Sequence, residues 1–72
     1  MKKLTLKNIV WKEGREYVSW NINTGVASFG STKHEALASL QEALKLYFED
    51  VPLSRAVKVE CPALTTGVFT YA

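Results

Sequence analysis

Seventy-two residues, 47% hydrophobic and 22% charged, make one globular domain spanning residues 1–72, and a chain this short withdraws only about 60% of its unfolded surface from water. The net charge of +2 is too small to argue for nucleic-acid binding by itself. A single cysteine, Cys61, excludes an internal disulfide, and with His34 as the only histidine a Cys/His zinc site lacks ligands, so association with another chain is the expected source of extra stability.

The N-terminus "MKKLTLKNIV" is broken by Lys7 and Asn8, too early for a signal-peptide core, and no apolar run approaches the ~20 residues that span a bilayer. A soluble cytoplasmic protein with no membrane association is expected. Five of the nine basic residues, Lys2, Lys3, Lys7, Lys12 and Arg15, fall in the first fifteen positions. They read as lysines protecting a strand edge, or as a polyanion contact.

Residues 3–12 read as a strand in which Leu4 and Leu6 alternate with Thr5 and Lys7. From Ile9 to Trp11 the pattern becomes continuous, which implies a bulge near Lys7 and Asn8 or cover on both faces. Gly14 marks a turn. Residues 16–22 form a second strand, with Val18, Trp20 and Ile22 on one side and Tyr17, Ser19 and Asn21 on the other. "NTG" at 23–25 is another tight turn, and residues 26–30 are a short third strand, so the three strands make an antiparallel meander.

A helix follows. Thr32 and Glu35 match a capping box, and Ala36, Leu37, Leu40, Ala43, Leu44 and Tyr47 share one face, with Phe48 at its border. Leu46 stands opposite that stripe and is a candidate partner contact. Val51-Pro52 ends the helix. In residues 56–61, Val57, Val59 and Cys61 alternate with Lys58 and Glu60, which predicts a fourth strand with Cys61 in the core; residues 68–71 suggest a short fifth.

The expected architecture is therefore α+β, in the order β-β-β-α-β. The return strand lies beside the first strand, and one helix packs on one sheet face. The helix-free face is expected to carry Tyr17, some of Ile9, Val10 and Trp11, and Phe69 or Tyr71. A homodimer through that face or an edge strand, or docking of another protein there, is expected.

From Gly14 to Asp50 the chain reads "GREYVSWNINTGVASFGSTKHEALASLQEALKLYFED". Gly30, Thr32, Glu35, Ala36, Leu37, Glu42, Ala43, Tyr47 and Glu49 fall where the HicB antitoxin family places its own, and the order of elements resembles that family's partial ribonuclease-H-like fold. The family's Pro-Asp-Leu-Pro-Gly-Cys loop is replaced by "NINTGV", which keeps only Gly25. The resemblance implies an antitoxin that neutralises a small HicA-like mRNA-cleaving toxin by steric occlusion. The acidic helix side (Glu35, Glu42, Glu49, Asp50) would then face a basic partner. No DNA-binding segment follows the expected return strand, so operator binding by this chain is not expected.

Catalysis is not expected. Strands one to three carry only Glu13 and Glu16, both beside a turn, and the sole aspartate, Asp50, ends the helix. That is no set of strand-borne carboxylates for a two-metal nuclease. His34 has no triad partner near it in sequence. We expect no catalytic residue, metal or cofactor. The alternative function is an oligomeric module that binds RNA or another polyanion through the N-terminal lysines, with Trp11 and Trp20 as stacking platforms.

Overall fold

The computed structural model describes residues 4–72. Three antiparallel strands, β1 (Asn8–Glu13), β2 (Glu16–Asn21) and β3 (Ala27–Gly30), form an open sheet in the order β1-β2-β3. The helix α1 (Lys33–Asp50) follows, and a single 3-10 turn occupies Leu53–Arg55. The class is α+β, a meander with one helix on one face.

Local chemistry explains each junction. β1 and β2 join through a two-residue loop whose first member, Gly14, has φ 63°, where a primed hairpin turn needs glycine. The β2–β3 turn is built on Asn21. Its Oδ1 accepts from the N–H and hydroxyl of Thr24 at 2.9 and 2.8 Å, and its own N–H donates to the Val26 carbonyl at 2.8 Å. At the helix start, the Glu35 N–H donates to Thr32 Oγ1 at 3.1 Å and the Ser31 N–H donates to Glu35 Oε2 at 3.0 Å. This is the expected capping box, with the returning bond landing one residue earlier than Thr32.

The register decides which face the helix covers. Residues directly opposite share a face, so Ile9 and Trp20, Trp11 and Val18, and Val18 and Phe29 stand together. Tyr17 opposes Lys12 and Gly30, and Ser19 opposes Val10 and Ser28, on the other side. The Ser19 hydroxyl donates to the Ala36 carbonyl at 2.7 Å, which puts α1 on the Tyr17–Ser19–Asn21 side. The expected placement of Tyr17 on the helix-free face is therefore corrected: Tyr17 is half-buried on the helix side.

The physical reason is close approach. A Cβ on Gly30 would sit 2.6 Å from the Ala36 nitrogen, so the helix start rests directly on that backbone. A lane of small residues, Gly30, Ser28 and Ser19, lets α1 lie low over β3 and β2; it hardly reaches β1. The buried apolar core is Ala36, Leu40 and Leu44. Ala43, Tyr47 and Phe48 are half-buried, and Leu37 is more open than the wheel suggests.

The expected return strand is also corrected. Residues 56–61 join no ladder, and 68–71 form no strand. Asn23 holds this segment instead. Its Oδ1 accepts the Lys7 N–H at 2.7 Å, its Nδ2 donates to the Val57 carbonyl at 2.7 Å, and its own carbonyl accepts the Val57 N–H at 2.8 Å. One amide side chain thus bridges the lead-in to β1 and the segment after the helix, at the place where two strands would have paired. Cys61, expected in the core, is exposed, with φ 46°.

Candidate protein-binding surfaces

Two surfaces are left unused by the fold. The first is the helix-free sheet face. Period-two alternation sends Ile9 and Trp11 from β1, Val18 and Trp20 from β2, and Phe29 from β3 to the same side. Trp11 is 39% exposed, Trp20 43% and Phe29 64%. Among the described residues no element lies over them. Glu13 and Glu16 close the turn end of this face; the rest of it is apolar.

Of the four expected interface residues, the structure brings Ile9 and Trp11 together on this face. It sets Tyr17 behind the sheet and Leu46 on the far side of the helix. Trp20 and Phe29 are the members that pattern reading missed. Their signal was the aromatic content of "SWN" and "SFG", which is masked when apolar residues are assumed to point at the helix.

The second surface is the outer stripe of α1. Glu35, Glu42 and Glu49 recur every seven residues, which on a helix keeps them within one narrow sector. Leu46 falls in the same sector and is 61% exposed. Glu35 is engaged by the cap, so Glu42 and Glu49 are the free carboxylates flanking Leu46. The last turn has no basic residue and carries Glu49 and Asp50. Negative charge at a helix C-terminus opposes the macrodipole and costs about 0.3–1 kcal/mol per group at a surface. Glu49 therefore has no explanation in helix stability.

Among the described residues, the N-terminal basic side chains do not assemble on the tryptophan face. Lys7 donates from Nζ to the Val59 carbonyl at 2.9 Å, Lys12 stands on the helix side of β1, opposite Tyr17, and Arg15 sits exposed in the hairpin turn. Lys2 and Lys3 lie outside the described residues.

A shallow cleft of about 390 Å³ runs between Leu4–Lys7 and Ala56–Glu60, with Asn23 at its end. Its two lysines are already engaged, Lys7 with the Val59 carbonyl and Lys58 with the Glu60 carboxylate at 3.2 Å, and no buried side-chain polar atom among the described residues lacks a partner. No group of three or more metal-ligating side chains occurs among the described residues, and none of the helices there is long and apolar enough to cross a membrane.

No curated protein and no solved structure matches the chain. Residues 6–59, which take in the whole sheet, the helix and the segment tied to Asn23, match the Family of unknown function (DUF7387), and the chain belongs to that family.

Proposed function

We propose that this chain is a non-enzymatic interaction domain of the cytoplasm. It self-associates through the helix-free sheet face and, as the HicB resemblance implies, neutralises a small HicA-like mRNA-cleaving toxin by steric occlusion. The supporting observation is the apolar face of Ile9, Trp11, Val18, Trp20 and Phe29, left open beside a core of three buried apolar residues among those described. A face of this kind marks an association surface.

The direction of toxin docking follows from charge. An RNA-cleaving partner is basic where it holds RNA, and Glu42 and Glu49 around Leu46 offer it an acidic, partly apolar stripe. The polyanion alternative gains less from the structure, because Lys12 and the two tryptophans stand on opposite faces of the sheet.

The test is an mRNA-cleavage assay with a purified small HicA-like ribonuclease. Equimolar domain is expected to abolish cleavage and to co-elute with the enzyme. Undiminished cleavage would overturn the antitoxin reading. RNA binding by the domain alone that falls steeply with salt would select the polyanion alternative.

A further inference from the structure

We propose that residues 62–72 form an exchanged arm. In a two-fold dimer, each arm crosses the helix-free sheet face of a second copy of this chain and sets Phe69 and Tyr71 on Trp11, Trp20 and Phe29. The inference rests on the reading that this face self-associates, and it names the segment that covers it.

The area argues for a second copy. A folded monomer of 8.1 kDa exposes about 4,500 Å², whereas this chain exposes 6312 Å². The excess, roughly 1,800 Å² per chain, is in the range that each protomer of an obligate dimer withdraws, about 1,000–2,500 Å². Shape agrees. The radius of gyration is 14.2 Å against about 11 Å for a compact chain of this length, and the longest dimension is 50 Å.

The arm supplies what the face lacks. Leu64, Val68, Phe69 and Tyr71 are 84–92% exposed, so their own domain leaves them uncovered. From Cys61 to Ala72 there is no charged residue, so laying the arm on an apolar face buries no charge. In extended form Thr65, Gly67, Phe69 and Tyr71 fall on one side, with Thr66, Val68 and Thr70 on the other. Eight extended residues reach about 26 Å, enough to cross three strands set about 4.8 Å apart.

The root of the arm is placed for exchange. Pro62, Ala63 and Leu64 line a small cavity with Ile9, at the β1 border of the open face. The chain turns there on Cys61, a non-glycine residue at φ 46° directly before a proline. That conformation is disfavoured both by its own Cβ and by the following ring. Strained short hinges invite exchange between copies. Because the arm and the face belong to the same chain, a two-fold axis satisfies both twice in a closed, isologous assembly.

The test uses the full chain carrying Cys61→Ser, with Phe69→Cys in one sample and Trp20→Cys in another. On mixing and mild oxidation, a covalent heterodimer is expected on a non-reducing gel. Sedimentation of the unmodified chain is expected to give twice the chain mass. The Phe69→Glu/Tyr71→Glu variant, altered only at exposed positions, is expected to sediment as a monomer with unchanged far-UV dichroism. A dimeric wild type that neither forms the heterodimer nor responds to the glutamates would overturn the arm and leave face-to-face association standing. A monomeric wild type would overturn both.

Discussion

The Ser19 hydroxyl donates to the Ala36 carbonyl at 2.7 Å, in a contact fully closed to solvent. This bond joins the middle of β2 to the first turn of α1. It fixes the Tyr17–Ser19–Asn21 side of the sheet as the seat of the helix and leaves the tryptophan side open. The seat is tight: a Cβ added to Gly30 would also meet the Glu35 carbonyl carbon at 2.8 Å. Gly30→Ala is therefore expected to lower stability by about 1–3 kcal/mol through forced displacement of the helix start. Ser19→Ala should cost about 1 kcal/mol by losing one hydrogen bond. Urea titration followed by dichroism measures both, and a Gly30→Ala midpoint equal to wild type would contradict the tight seat.

Asn23 holds Lys7 and Val57 at once. Asn23→Ala leaves the Lys7 N–H and the Val57 carbonyl without their protein partner, at a cost of about 1–3 kcal/mol. The segment 56–60 should then detach while the sheet and helix persist. Limited proteolysis is expected to cut at Lys58 in the variant well before it cuts wild type. Equal cleavage rates would show that Asn23 does not anchor the segment.

Two helix substitutions separate a modest effect from collapse. Thr32→Ala removes the cap acceptor and should lower stability by about 1 kcal/mol. Leu40 is 1% exposed; Leu40→Asp forfeits about 1.5–3 kcal/mol of burial and places a charge in the core. With Ala36, Leu40 and Leu44 as the buried apolar core among the described residues, that should unfold the domain. A helical dichroism spectrum for Leu40→Asp would contradict this account of the core.

The legible parts of the fold were those set by local chemistry. Thr32 and Glu35 announce the helix, Gly14 and Gly25 the turns, and the wheel of Leu40 and Leu44 the buried stripe. The faces of β2 were not legible, because apolarity points Val18 and Trp20 toward the helix whereas steric clearance selects Ser19, Ser28 and Gly30. Neither was the fate of residues 56–61. Alternation of Val57 and Val59 is a true strand pattern, but a ladder also needs a partner edge, and this segment's hydrogen bonds go to Asn23 and to the Lys7 ammonium instead. The same inversion changed the interface: Ile9 and Trp11 stand where periodicity set them, and Trp20 and Phe29 take the place expected of Tyr17.

Charge on the helix separates stability from binding. Glu49→Lys places a cation at the helix C-terminus, which should raise stability by a few tenths of a kcal/mol up to about 1. If Glu42 and Glu49 face a basic toxin, Glu42→Lys/Glu49→Lys should weaken the complex about tenfold or more, mainly through slower association. Thermal melting and stopped-flow association, run side by side, check the two effects. Unchanged association at low salt would remove the acidic stripe from the docking surface.

Both tryptophans of the chain, Trp11 and Trp20, stand on the helix-free face, so tryptophan fluorescence, excited to the red of tyrosine absorption, reports on that surface alone. Acrylamide quenching at micromolar concentration is the direct measurement of whether it is covered. Covered indoles give blue-shifted emission and weak quenching, and dilution toward the monomer makes both approach the exposed values. Emission and quenching of solvent-exposed indoles at every concentration would mean that the sheet face stands bare in solution, contrary to the account given above.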